Sequence, residues 1–115
     1  MQVGESLQKL GFEFGVTTGR PRRCGWLDLH QLKYADDINH FTAFAMTKLD
    51  VMDTFEEIKV CVGYSCDDNN VTVMPASVQM LAQCKPVYKT FPGWKTDTTK
   101  CLTVRFNSIL RLLTF

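Results

Sequence analysis

No run among these 115 residues approaches the roughly 20 apolar positions that cross a bilayer. Residues 1–15 carry Glu5, Lys9 and Glu13 and lack the apolar core of a secretion signal, so a cytoplasmic location is expected. An excess of charge of one sign is missing too. Thirteen Lys and Arg stand against twelve Asp and Glu, leaving +1, which removes the general electrostatic case for nucleic acid or an acidic membrane as partner. Any basic function must therefore be local. Closely paired cysteines are absent. Cys24, Cys61, Cys66, Cys84 and Cys101 are scattered without a C-x-x-C spacing, and His30 and His40 lie far from the nearest two, Cys61 and Cys66. That leaves no metal site, and reduced thiols are expected rather than a disulfide framework. No Gly-x-x-x-x-Gly-Lys phosphate loop occurs. The acidic stretch Asp67-Asp68-Asn69-Asn70 lacks the ligand spacing of a calcium loop and reads as a turn.

What is present fits one modest domain with a single core, at 45% hydrophobic and 22% charged residues. Residues 4–14 read as a short helix ending near Gly11. Residues 26–39 follow a helical period, with Leu27, Leu32, Tyr34, Ala35 and Ile38 on one arc and Lys33, Asp36, Asp37 and His40 on the other. Asp28 is expected in the first turn of that helix, and Asp36 and Asp37 on a solvated face. Residues 41–47 form an unalternating apolar run, as expected of a strand buried on both faces of a parallel sheet. Asp53 to Glu56 resembles a capping box. Ile58, Val60, Val62 and Tyr64 alternate along a strand, and residues 71–73 are expected to return as its hairpin partner. A short helix over residues 76–84 and a strand over 86–91 come next. In the tail, Leu102, Phe106, Ile109, Leu110 and Leu113 fall near helical spacing.

The chemistry concentrates in Val16, Thr17, Thr18, Gly19, Arg20, Pro21, Arg22 and Arg23. Gly19 takes positive φ without steric cost, and Pro21 fixes its own φ and biases Arg20 toward extended backbone. The product is a stiffened bend presenting guanidinium forks and hydroxyls, suited to carboxylate or phosphate oxygens. On composition alone the favoured reading is a solvated basic turn or part of a localisation signal, and it is the sequence downstream that shifts the balance. Its continuation into a helix N-terminus would add free N–H groups to the attraction for anions. Further on, Lys48-Leu49-Asp50 comes directly after the apolar run, and ligands gather at the carboxyl ends of strands in open α/β sheets. A carboxylate there accepts two hydrogen bonds from the amide and amine of guanine, which adenine cannot supply, while the lysine stem lies along the base.

These stretches together resemble the adenylosuccinate synthetase family. The resemblance is carried by residues 15–28, by Leu32-Lys33-Tyr34-Ala35 and by Thr47-Lys48-Leu49-Asp50-Val51. Residues 57–64 and 87–94 complete it. It implies an α/β fold: a partial, mostly parallel sheet with flanking helices and a β-hairpin, cut from a larger P-loop-like synthetase domain. It divides the chain into a partial synthetase domain at residues 1–99 and a divergent tail at 100–115, such as a frameshift or alternative end would produce. The implied reaction joins IMP and L-aspartate with GTP and Mg2+ to give adenylosuccinate, in a cytoplasmic homodimer. Residues 16–22 resemble the mobile loop that closes over aspartate. Arg20 would contact IMP and the aspartate carboxylate, and Arg22 the GTP side. Lys48, Leu49 and Asp50 would read guanine. The family's catalytic aspartate and histidine, its phosphate loop and its magnesium ligands match nothing here, so no catalytic residue is expected in this chain. The isolated chain is expected to be inactive, the alternative role being a truncated, non-catalytic product that pairs with full-length enzyme. A nucleic-acid role for Arg20, Arg22 and Arg23 is disfavoured at +1.

Overall fold

The fold is organised on one strand. The computed structural model describes residues 3–66, 69–71 and 73–101. Its elements are α1 (Val3–Leu10), β1 (Leu27–Asp28), α2 (Leu29–Asn39), a 3₁₀ turn (Leu49–Met52), β2 (Glu57–Cys66), β3 (Asn69–Val71), α3 (Val78–Gln83) and β4 (Lys85–Pro92). Among the described residues, every ladder runs through β2. On one edge β4 pairs with it antiparallel from Glu57↔Pro92 to Ser65↔Lys85. On the other edge β1 pairs parallel at Leu27↔Val60, and β3 pairs antiparallel at Tyr64↔Val71. The α/β class is as expected, but the strand returning against β2 is Asn69–Val71 rather than residues 71–73, so Asn69 and Asn70 belong to the ladder and not to the turn. The sheet is mixed, with one parallel pair, rather than mostly parallel.

β2 has that role because of its composition. Ile58, Val60 and Cys61 are among the few buried residues, together with Leu29 of α2. β-branched residues suit a pleated, half-buried surface. The expected alternation through Val62 fails, because the ladder to β4 shifts register between Cys61 and Gly63. Val62 is the extra residue and is half exposed. A bulge of one residue moves the rest of the strand onto the opposite face, so Tyr64 joins Cys61 on the α2 side instead of continuing the row of Ile58 and Val60. Pro86 and Pro92 sit in β4, where a missing N–H costs least on an edge.

Several expectations change. The helix at 26–39 begins only at Leu29, because Leu27 and Asp28 pair with β2. Asp28 caps that helix from outside, its carboxylate accepting the Gln31 N–H at 2.9 Å. The arginine loop therefore enters a strand, and the N-terminal N–H groups of α2 already have a carboxylate. At the other end His40 adopts φ 51° and Asp36 accepts the Phe41 N–H at 3.0 Å.

Residues 41–47 form no strand. Both edges of β2 are occupied, and Phe41, Phe44 and Met46 are exposed, the two phenylalanines meeting edge to face at 5.3 Å. Asp53 ties a loop rather than capping a helix. It accepts from Trp94 Nε1 at 2.6 Å, Thr98 N–H at 2.8 Å and Thr98 Oγ1 at 2.7 Å. Gly93 lets that loop close: a Cβ there would lie 1.8 Å from the Phe55 carbonyl oxygen. Cys66 and Cys84 are joined by a disulfide, against the expectation of reduced thiols; their Cα atoms lie 4.5 Å apart. The register explains the proximity, since the preceding pair is Ser65↔Lys85. The amphipathic reading of the tail and half of the acidic turn (Asp67, Asp68) fall outside the described residues.

Candidate functional site

The arginine loop is a closed hairpin tip. Phe14 and Pro21 bridge antiparallel, Gly15 N–H donates to the Arg20 carbonyl at 2.8 Å, and Gly19 N–H donates to the Gly15 carbonyl at 2.8 Å. Gly19 has φ +64°, the left-handed value expected of it, and the space where its Cβ would point is open. Thr18 Oγ1 accepts the Arg20 N–H at 3.3 Å, a short-range hydroxyl bond that holds the bend. Val16, Thr17, Thr18, Gly19, Arg20 and Pro21 are all exposed at this tip.

The base of the hairpin meets the Lys-Leu-Asp stretch through a residue that sequence reasoning missed. Glu13 accepts from Arg22 Nη1 at 3.0 Å and also from Lys48 Nζ, which in turn donates to the Gly11 carbonyl at 2.7 Å. Arg22 N–H donates to the Glu13 carbonyl at 2.9 Å, and Gln8 Nε2 to the Arg22 carbonyl at 2.5 Å. Lys48, then Arg22, hold the Glu13 carboxyl below its ordinary range. The one available signal was a lone carboxylate between Phe12 and Phe14, shortly before three arginines.

A cavity of about 470 Å³ opens beside this clasp. Its cationic rim is Arg22, Arg23 and Lys48, and its apolar wall includes Leu49, Val51, Ile58 and Val60. The structure thus gathers Arg22, Lys48 and Leu49 in one place. Arg20 and the rest of the tip stand away from the wall, and so does Asp50, exposed within the 3₁₀ turn. Lys48 itself has φ 57°, a left-handed entry to that turn, not the end of a strand. Its ammonium is paired with the Glu13 carboxylate and the Gly11 carbonyl while the side chain stays half exposed.

On the opposite face of β2, the Tyr64 hydroxyl donates to Asp28 Oδ2, and the His30 ring meets Tyr64 edge to face at 5.4 Å. Burial, and after it Asp28, pushes the Tyr64 phenol well above its ordinary value. Burial likewise pushes the Cys61 thiol up. His30 Nε2 is buried without a partner. No cluster of three His, Cys, Asp or Glu side chains gathers among the described residues.

A mixed sheet carrying helices, with a cavity at the base of an arginine hairpin, defines an α/β domain. The family model for adenylosuccinate synthetase matches residues 1–108. An adenylosuccinate synthetase from Aquifex aeolicus is 58% identical over 97 residues, covering 84% of this chain and 22% of that protein. One from Arthroderma otae is 55% identical over 97 residues, covering 84% and 23%. The structure of a fully ligated adenylosuccinate synthetase from Plasmodium falciparum superimposes with a TM-score of 0.81 at 40% identity, over 86% of this chain and 24% of that one. The chain belongs to the adenylosuccinate synthetase family, and it spans about a quarter of the length of these relatives.

Proposed function

We propose that this chain is the substrate-loop and guanine-reading segment of a GTP-dependent ligase that joins IMP and L-aspartate into adenylosuccinate. The observation that carries the reading is the Glu13 clasp, which sets Arg22 and Lys48 on the rim of one cavity. Residues 16–22 form the loop that closes over aspartate. At its exposed tip Arg20 meets IMP and the aspartate carboxylate, and at its base Arg22 faces GTP phosphates, where a guanidinium fork matches the oxygens. Lys48, Leu49 and Asp50 read guanine, Leu49 under the base and Asp50 accepting from its edge. No catalytic residue is assigned in this chain. Magnesium accompanies GTP, its ligands lying in the part of the family's domain that this chain does not match. The family segment fills residues 1–99, its match runs on to residue 108, and the divergent tail lies within residues 100–115; the assembly is a cytoplasmic homodimer.

The test is an NMR titration of the chain with GTP and, separately, ATP. GTP is expected to shift the amides of Leu49 and Asp50 and of Arg22 at millimolar concentration, and Asp50→Asn to abolish the preference over ATP. Equal responses to both nucleotides would sink the guanine reading. The chain alone is expected to form no adenylosuccinate. A second reading, non-catalytic association with intact synthetase, is favoured by the exposed Phe41, Phe44 and Met46. Co-elution of the two proteins on size exclusion supports it, and separate elution rejects it.

A further inference from the structure

The Cys66–Cys84 bond lies where β2, β3 and α3 meet, away from the cavity just described. Cys66 ends β2 and also pairs with Asn69 of β3, while Cys84 caps the C-terminus of α3 and leads into β4. Ser65↔Lys85 is the last ladder pair before them. A Cα separation of 4.5 Å is that of a non-hydrogen-bonded antiparallel pair, the spacing at which cross-strand side chains approach most closely. The ladder therefore presents the two sulfurs to each other whether or not the bond exists. Both cysteines are half-buried, so a small thiol can reach the bond. Of the other described cysteines, Cys101 is an exposed free thiol that can take a glutathione adduct but is not bonded to another cysteine, and Cys24 and Cys61 stand apart from the exchange site. Cys61 is buried and its thiol is pushed up by that burial, leaving little thiolate. The Cys24 thiol donates to the Arg22 carbonyl at 3.6 Å, on the arginine-loop side of the molecule.

We propose that Cys66 and Cys84 form a reversible thiol–disulfide exchange site whose reaction partner is a low-molecular-weight thiol–disulfide couple such as glutathione. In the oxidising direction one cysteine thiolate attacks glutathione disulfide, forming a mixed disulfide and releasing a glutathione thiolate. The second cysteine thiolate attacks the protein sulfur of that mixed disulfide, closing the Cys66–Cys84 bond and releasing a second glutathione. Two protein thiols are oxidised and one glutathione disulfide is reduced to two thiols, which carry away the two protons. Two molecules of reduced glutathione run the sequence backwards. Oxidation clamps the open end of the β2–β4 ladder. It also anchors α3, a six-residue helix with no buried residue, too short to be stable unaided. Reduction leaves the pairs from Glu57↔Pro92 to Cys61↔Tyr88 in place and loosens the end beyond Tyr64.

The full chain is equilibrated across a series of glutathione ratios, trapped with an alkylating reagent and mapped by mass spectrometry. The expected result is interconversion of a Cys66–Cys84 crosslink and a doubly alkylated form while circular dichroism stays native. Amide exchange at residues 64–66 and 85–87 should run roughly tenfold faster in the reduced form, with residues 58–60 unchanged. A bond that resists excess reduced glutathione until the chain unfolds overturns the proposal, as do thiols that remain alkylatable in excess glutathione disulfide. Cys66→Ser and Cys84→Ser should each accumulate a glutathione adduct on the remaining partner, and folded variants without the adduct count against it. The wild-type titration decides the matter by itself where the serine variants fail to fold.

Discussion

A carboxylate shared by two cations ionises more readily than one in free solution, and Glu13 is in that position through Lys48 first and Arg22 second. Its folded pKa lies below the ordinary 4.5, so its stabilising contribution is complete above that value and disappears as pH falls through the folded pKa. Carbon-13 NMR of the labelled side chain should find Glu13 titrating below 4.5, and Glu13→Gln should remove that part of the acid sensitivity. A midpoint at or above the ordinary value would mean that the clasp does not persist in solution. Each ion pair is solvent-exposed and individually weak. Glu13 matters for position: it ties the hairpin base to the 3₁₀ turn, and with it the spacing of Arg22 and Lys48.

Among the elements, α2 depends on Asp28 twice over, through the Gln31 cap and the Tyr64 hydroxyl. Asp28→Ala should cost about 1–3 kcal/mol, a lost cap plus a part-buried hydroxyl left unpartnered. The Tyr64 phenol is raised by burial and then by Asp28, so its contribution is complete below the usual value of 10 and is lost as pH rises through the higher folded pKa. Ultraviolet titration should show phenolate forming at lower pH in Asp28→Ala than in the parent; an unmoved midpoint would refute the contact. β2, β4 and most of α2 were legible because their apolar periods are local properties of the chain, whereas the return strand of the hairpin begins two residues before the sequence marks it, because the polar Asn69 and Asn70 read as turn. The bulge at Val62 was not, since it is defined only by pairing with β4. Residues 41–47 read as a buried strand because apolarity without alternation cannot say whether an edge is free. The Cys66–Cys84 bond was hidden for a related reason: 18 positions separate the cysteines, and only the ladder register makes them neighbours. At the site, the left-handed bend at Gly19 was legible, because a glycine close to Pro21 is a local signal. Glu13 was not, because its two partners come from different parts of the chain.

At the scale of the whole molecule, the buried apolar side chains among the described residues, Leu29, Ile58, Val60 and Cys61, make a small core, and burial on that scale offsets little conformational entropy. Ile58→Ala should cost about 2–3 kcal/mol, the low end for such a truncation because Ile58 already borders the cavity. Urea denaturation measures this directly, and an unchanged midpoint would show that the core lies elsewhere. The exposed Phe41, Phe44, Val87 and Tyr88 are consistent with a chain that spans about a quarter of its relatives' length.

With β2 as the strand that every other described strand touches, the sheet is wired as a star rather than a chain of neighbours. A chain-like sheet can peel from its margin and keep the remaining ladders. Here β1, β3 and β4 share no described pairing with one another that would survive the release of β2. Detaching the hub disconnects all three spokes in one event. The middle amides of β2 should then exchange with solvent only when the entire sheet is lost, at a single common rate.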